Sequence, residues 1–396
     1  MDVRNILIIA CCFLTTAPLF PVEVVTVEGN TIEGKGLNIT KGILSVGEEK
    51  LPLDEVISCR WGRNRDNTLD RGEFMFDLVN GDRLRGSVAG ISGKKLTIDS
   101  RSFGSIKVGI QIVSAIRFAP GNIEESAGTG SKRMAEGDTV VFANGDSLNG
   151  TVTDISAAGI VLESVLGRMH YTFADLFSIT FDRPATSGHT VQDTFFRIVT
   201  ATGESVSGRE MEQKEGRTVI HSLNVGDISV AGSVLAVLKV ENGRFVYLSD
   251  LVPSDAEERS FWKGGYIWHY KKDRSVDGNR LKLKSREYYK GIGVHSYCRL
   301  AYRLNGAYER FVAAAGIDSE VTEYGNADII IRGDGRILFE RKHVDAVSTP
   351  VSIAVDVSSV GTLELIADFG ELFDIGDHVD WAGAYLIKKK KSGDIK

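Results

Sequence analysis

The chain has 396 residues, a formal net charge of −6, 42% hydrophobic and 25% charged residues, and 43 glycines. At ~100–200 residues per domain the length predicts two to four domains, and the composition is globular, which excludes a collagen-like or wholly disordered chain. A balance of 47 Lys+Arg against 53 Asp+Glu argues against a phosphate-backbone binder, which needs a basic stripe.

Residues 1–21 read as a signal peptide. One Arg lies in Met1–Asn5, an apolar run covers Ile6–Leu14, and small residues and prolines fill Thr15–Pro21. The run is too short for a membrane span, which needs ~20 apolar residues, and a buried first strand is the competing reading. The signal predicts an exported protein in the periplasm, at the cell surface or outside the cell, with no membrane span after its removal. Cys11 and Cys12 would leave with it. Cys59 and Cys298 remain in apolar, strand-like contexts. They read as buried thiols, and a bridge between them stays open.

Four segments then repeat one plan. They are Gly29-Asn30-Thr31-Ile32-Glu33-Gly34, Gly81-Asp82-Arg83-Leu84-Arg85-Gly86, Gly145-Asp146-Ser147-Leu148-Asn149-Gly150 and Gly203-Glu204-Ser205-Val206-Ser207-Gly208. Their first glycines are spaced 52, 64 and 58 residues apart. Val24, Phe76, Val140 or Ile198 stands five residues before each, and Ile32, Leu84, Leu148 or Val206 three after. Asn80-Gly81 and Asn144-Gly145 are strong hairpin signals, and a two-residue turn with positive φ is expected there. Each hairpin runs on to a closing apolar segment that ends near Trp61, Phe118, Phe181 or Leu238. Units of ~50 residues with about five short strands fit a small closed β-barrel. The pattern resembles SH3-type and Sm-like barrels; a β-sandwich or an extended β-array is the competing architecture. RNA binding, which Sm-like barrels can show, does not suit an acidic exported chain. The repeats are expected at 22–62, 73–119, 137–183 and 194–243, with a linker at 120–136. Gly128-Thr129-Gly130-Ser131-Lys132 lacks the spacing of a phosphate loop. The repeats read as a spacer or a docking platform for other cell-surface proteins.

From Phe245 the character changes. Trp262, Trp268 and Trp381 lie here with ten of the eleven tyrosines. Such aromatics fit a sugar-stacking surface or a packed β-sandwich core. Asp328–Arg332, Val351–Val357 and Thr362–Ala367 read as strands, and Gly333-Asp334-Gly335 as a hairpin turn.

Several ordered stretches resemble the NPCBM family of carbohydrate-binding modules. They begin at Val246-Tyr247-Leu248-Ser249-Asp250-Leu251-Val252-Pro253 and include Lys272-Asp273-Arg274-Ser275-Val276. Tyr289-Lys290-Gly291-Ile292-Gly293-Val294-His295-Ser296 is the most specific run, and Gly376-Asp377-His378-Val379-Asp380-Trp381-Ala382-Gly383-Ala384 closes the match. The resemblance covers 245–388 and leaves a basic tail at 389–396. It implies a galactose-binding-like jelly-roll β-sandwich, so the expected fold is all-β, an array of small barrel-like repeats followed by that sandwich. It also implies a glycan partner, with galactose-containing glycans as one candidate.

Sugar sites pair aromatic rings with planar polar groups, because vicinal hydroxyls both donate and accept. The candidate contacts are Trp268, Asp273, Arg274, His295, His378 and Trp381. For His295 the alternative is a satisfied half-buried histidine; for Trp381 it is a core position. Some jelly-roll modules of this kind hold a structural calcium, for which Asp318, Asp377 and Asp380 are the candidate ligands. Neither H-E-x-x-H nor G-x-S-x-G occurs, and no enzyme activity is expected. A scaffold whose module no longer binds sugar, or an accessory protein to a separate glycoside hydrolase, is the alternative function.

Overall fold

A computed structural model describes residues 21–62, 73–92, 94–118, 137–156, 158–182, 193–214, 217–321, 324–371 and 373–390. The expected signal peptide, with Cys11 and Cys12, and the linker at 120–136 lie outside these residues. The chain divides into two compact units, Met1–Glu241 and Asn242–Lys396, and is all-β. Among the described residues no helix is long and apolar enough to cross a membrane.

The N-terminal unit contains four variations on one five-stranded plan. Repeat 1 comprises β1 (Pro21–Thr26), β2 (Thr31–Lys35), β3 (Leu37–Thr40), β4 (Ile43–Val46), β5 (Glu49–Pro52) and β6 (Val56–Arg60). Repeat 2 comprises β7 (Phe74–Leu78), β8 (Arg83–Ser92), β9 (Lys95–Ser100), β10 (Gly104–Gly109) and β11 (Val113–Arg117). Repeat 3 has β12 (Asp138–Phe142), β13 (Ser147–Ser156), β14 (Gly159–Ser164), β15 (Gly167–Tyr171) and β16 (Leu176–Thr180). Repeat 4 has β17 (Phe195–Thr200), β18 (Ser205–Lys214), β19 (Arg217–Ser222), β20 (Gly226–Ala231) and β21 (Leu235–Glu241). A one-turn 3-10 helix precedes each last strand, which folds back onto the first strand of its own repeat. Val24 thus faces Cys59, Phe76 faces Ile116, Val140 faces Ile179 and Ile198 faces Leu238. All eight are buried, which explains the apolar residue five places before each hairpin glycine.

The hairpins correct the two-residue expectation. In repeat 2 the Gly81 N–H donates to the Leu78 carbonyl at 2.9 Å and the Leu78 N–H to the Asp82 carbonyl at 2.8 Å. That is a three-residue loop, a turn followed by one left-handed residue. Repeats 1, 3 and 4 bond identically, and only the glycine is left-handed in each: Gly29, Gly81, Gly145 and Gly203 have φ of 84°, 82°, 90° and 82°. Two-residue loops in which both residues have positive φ occur at other hairpins, at Lys41-Gly42 between β3 and β4 and at Asp334-Gly335 in the C-terminal unit.

The second glycine of each signature has a different cause. Gly86 pairs with Phe74 on one side and Ser100 on the other, where β8 bends between partner strands. A Cβ there would lie 2.2 Å from the Asp99 carbonyl oxygen; at Gly150 it would lie 2.4 Å from that of Glu163. Glycine in a strand often marks a bend or a close backbone approach. Gly86→Ala is expected to destabilise the N-terminal unit by about 1–3 kcal/mol, as overpacking does. Chemical denaturation of the full chain measures this, and a cost below about 0.5 kcal/mol would show that the bend tolerates a side chain.

The C-terminal unit is a two-sheet sandwich. Its strands are β22 (Phe245–Tyr247), β23 (Asp255–Glu258), β24 (Lys271–Lys272), β25 (Leu281–Leu283), β26 (Arg286–Tyr288), β27 (Gly291–His295) and β28 (Cys298–Arg303). They continue with β29 (Tyr308–Ile317), β30 (Asn326–Gly333), β31 (Arg336–Asp345), β32 (Val351–Asp356), β33 (Thr362–Phe369) and β34 (His378–Lys388). One sheet runs β24-β27-β34-β29-β32, with β22 also on β34; the other runs β23-β28-β33-β30-β31. Leu300, Tyr302, Phe311, Ile329, Leu365 and Trp381 fill the space between them. Cys59 and Cys298 are both buried and free, and burial pushes each thiol far above its ordinary pKa.

Candidate functional site

The C-terminal end of β27 and the N-terminal end of β34 lie side by side, with His295 opposite His378. Trp268, from the loop after β23, stacks on His295 with ring centroids 5.4 Å apart and planes 13° apart. It also lies 5.4 Å from the His378 ring. Three of the expected contact residues, Trp268, His295 and His378, therefore form one cluster, although they are far apart in sequence. His295 is 7% exposed, while Trp268 and His378 are half-buried.

Polar groups from two further loops complete this end of the sandwich. His378 Nδ1 donates to Glu320 Oε1 at 3.0 Å. Glu320 Oε2 accepts from Ser275 Oγ at 2.8 Å and Asn279 Nδ2 at 2.9 Å. Asp277 Oδ2 lies 3.7 Å from His378 Nδ1. Burial opposes the charge on Glu320, but hydrogen bonds from Asn279, His378 and Ser275 outweigh it and hold the carboxyl below its ordinary pKa. His295 Nδ1 donates to the Ser296 carbonyl at 2.7 Å. Burial nonetheless pulls the His295 pKa down, which favours the neutral ring. A neutral imidazole that donates through Nδ1 keeps Nε2 as an acceptor.

An aromatic shelf stands beside the cluster. Phe261, Trp262 and Phe373 are 41%, 59% and 45% exposed. Their ring centroids lie 4.9–5.5 Å apart. Asp374 Oδ2 ties the two loops of the shelf together by accepting from Ser260 Oγ at 3.1 Å and the Phe261 N–H at 3.0 Å. The same carboxylate acts electrostatically on His295. Tyr266 bridges outward from the cluster, edge-on to Trp268 at 5.1 Å.

The remaining expected contacts fall elsewhere. Trp381 is 1% exposed and belongs to the core, because β34 is the central strand of its sheet. Asp273 accepts from Lys290 Nζ at 2.8 Å and the Gly291 N–H at 3.2 Å. Gly291 begins β27 and His295 ends it, so Asp273 lies about 13 Å from the histidines at strand rise. Arg274 is exposed on the same stretch, and its carbonyl accepts from the Gly293 N–H.

The three expected calcium ligands do not converge. Asp318 and Asp380 turn inward and both accept from the Lys282 N–H, at 2.9 and 3.1 Å. Asp377 accepts instead from Ser296 Oγ and the Asn326 N–H. Burial raises Asp377 to about 6. Burial, reinforced by Asp318, raises the Asp380 pKa well above its ordinary value, which disfavours the carboxylate form that a calcium site needs. Among the described residues the group of potential ligand atoms lying within 4.8 Å of one another is Asp277, Glu320 and His378. One imidazole with two carboxylates suits a transition metal better than calcium. Here the Glu320 carboxylate is already committed to three partners, His378, Ser275 and Asn279.

Asp380 carries a stability consequence. The folded state holds its proton at pH values where the unfolded carboxyl has lost it, so this group's contribution is lost as pH rises through the folded pKa. Asp380→Asn keeps a hydrogen-bonding side chain without the ionisation. Its thermal midpoint is expected to rise relative to the unsubstituted protein between pH 4 and pH 8. A pH-independent difference between the two proteins would contradict a raised Asp380 pKa.

Sequence reasoning missed Glu320, Asp277, Asn279 and the Phe261–Trp262–Phe373 shelf. Asp277-Gly278-Asn279 is a turn sequence with no chemical signature of its own. The visible signal for the shelf was Phe261-Trp262 two residues before Gly264-Gly265, large aromatics in a loop where packing does not require them.

Residues 244–387 match the family model of the NPCBM/NEW2 domain, within a residue at each end of the stretch that carries the sequence resemblance. Solved structures with likeness to the chain include CBM51 from Clostridium perfringens GH95 in complex with methyl-galactose. It shares 27% identity, covering 36% of this chain and 99% of that one, with a TM-score of 0.33. Another is CBM51-2 in complex with GlcNAc and INT domains from Clostridium perfringens ZmpB, at 21% identity, 47% of this chain, 44% of that chain and a TM-score of 0.34. The tandem CBM51 modules of a family 98 glycoside hydrolase from Streptococcus pneumoniae share 16% identity over 66% of this chain and 91% of that one, with a TM-score of 0.32. No curated protein matches the chain.

Proposed function

We propose that the C-terminal unit, an NPCBM-type module, binds a glycan reversibly at the Trp268–His295–His378 cluster. The observation that carries this reading is the stacking of Trp268 on a neutral, Nδ1-anchored His295 beside the His378–Glu320 pair. The His295 Nε2 acceptor, a carboxylate and the Asn279 amide meet the donor and acceptor needs of vicinal hydroxyls, while the aromatic rings cover an apolar sugar face. The Phe261–Trp262–Phe373 shelf extends the surface, which favours a glycan of more than one sugar, with galactose-containing glycans as the first candidates. The chain acts outside the cytoplasm, without covalent chemistry, and its N-terminal repeats space or dock the module. A glycan array probed with the full chain tests this. Binding that Trp268→Ala and His378→Ala both remove from folded protein is expected. A blank array from folded protein would favour the scaffold reading.

A further inference from the structure

Repeats 1 and 4 meet where β3 pairs with β18 through Ile39 and Met211, and two further kinds of contact between repeats join equivalent positions. The last strands of repeats 1 and 4 pair with Cys59 opposite Leu238, and those of repeats 2 and 3 with Ile116 opposite Ile179. Repeats 2 and 4 meet instead through their opening hairpins, where Arg83 is opposite Ser205. Each stands two residues after its hairpin glycine. The side chains follow the same local two-fold. Asp82 Oδ1 accepts from Ser207 Oγ at 2.6 Å, and Glu204 Oε1 from the Arg85 N–H at 3.1 Å. Asp82 and Glu204 occupy equivalent positions, as do Arg85 and Ser207. Such reciprocal contact defines an isologous interface. The order of contact is therefore repeat 1, 4, 2, 3, and the two ends of the series each present a hairpin that has no hairpin partner among the described residues.

Burial records the difference. Leu84 and Val206, three residues after the glycines of the paired hairpins, are fully buried, whereas Ile32 and Leu148 at the ends are half-buried. The edge geometry of repeat 3 matches that of the paired hairpins. β14 pairs with β13 only from Gly150 onward, just as β9 pairs with β8 from Gly86 and β19 with β18 from Gly208. Ser147–Asn149 thus presents the edge that Arg83–Arg85 and Ser205–Ser207 use against each other. Asn144 Nδ2 donates to Asp146 Oδ2 at 2.7 Å, as Asn80 Nδ2 does to Asp82 Oδ2. In repeat 2 the second carboxylate oxygen crosses to repeat 4. Asn149, at the position of Ser207, accepts from Thr139 Oγ1 through its Oδ1, so its amide N–H groups remain as donors.

We propose that the repeat 3 hairpin pairs with the same hairpin of a second copy of this chain. Ser147 then faces Ser147, and each Asp146 accepts from the other copy's Asn149 amide. Pairing with a repeat 1 hairpin is disfavoured, because Glu33 stands at the position of Asn149 and would oppose Asp146 with like charge. The like-with-like pairing also closes a two-fold dimer, whereas a mixed pairing would run on as an open chain.

Sedimentation velocity of the full chain over a concentration series tests the proposal. A monomer–dimer equilibrium is expected. Asn149→Asp should weaken it at least about tenfold, since it sets two carboxylates against each other twice. The double variant Asp146→Asn, Asn149→Asp exchanges donor and acceptor and should restore the dimer, which a folding defect would not allow. A monomer at every concentration, a dimer indifferent to Asn149→Asp, or a double variant that stays monomeric would each overturn the proposal.

Discussion

Trp268→Ala is expected to weaken glycan binding by about 10- to 100-fold, the range for losing a buried aromatic anchor worth ~1.4–2.8 kcal/mol. Two effects combine. The ring is lost as a stacking surface, and His295 loses the neighbour that covers and orients it. Burial is the leading cause of the depressed His295 pKa, so uncovering the ring should return it toward its ordinary 6.5. An NMR titration of the imidazole resonances reads that change separately from affinity. Loss of binding with an unmoved His295 pKa would mean that Trp268 contacts sugar without shielding the histidine. Unchanged binding would place the site elsewhere.

Glu73→Ala should destabilise the N-terminal unit by about 3–5 kcal/mol, the cost of removing one partner of a buried ion pair. Glu73 Oε2 accepts from Arg85 Nε at 2.7 Å, and the Arg85 side chain has no solvent exposure. Arg85 lies where the hairpins of repeats 2 and 4 meet, so the loss should loosen that junction first. Replacing both residues, Arg85→Met with Glu73→Leu, should cost clearly less than Glu73→Ala alone, since the buried guanidinium leaves together with its carboxylate. Chemical denaturation of the three proteins decides the matter; a double variant as unstable as the single one would show that packing, not charge, dominates.

The fold was legible where backbone geometry restricts residue choice. The first glycine of each repeat is required by positive φ and the second by a carbonyl 2.2–2.4 Å from any Cβ in repeats 2 and 3, so the pair survives as a pattern. The loop length was misjudged because Asn-Gly suits both two- and three-residue loops. How the repeats pair with one another was not legible, because strand edges carry no residue-type signature.

The candidate site was legible in part for a related reason. His295 and His378 belong to strands whose pairing brings them together, and Trp268 reaches them from a loop. Trp381 and Asp380 share the same closing motif and point to opposite faces of β34, yet both are buried, Trp381 between the sheets and Asp380 against the Lys282 N–H. Composition cannot separate an inward Asp-Trp from an outward one. Glu320 was missed because its role depends on Ser275, Asn279 and His378, three contacts made only in the folded unit.

The proposed glycan site centres on the histidine pair. The decisive measurement is an NMR titration of the full chain with the strongest ligand from the glycan array, following the His295 and His378 imidazole resonances. Saturable shifts of both, absent in Trp268→Ala, are predicted. A glycan that binds while both imidazoles stay unmoved, or the absence of any binding glycan, would contradict the proposed site.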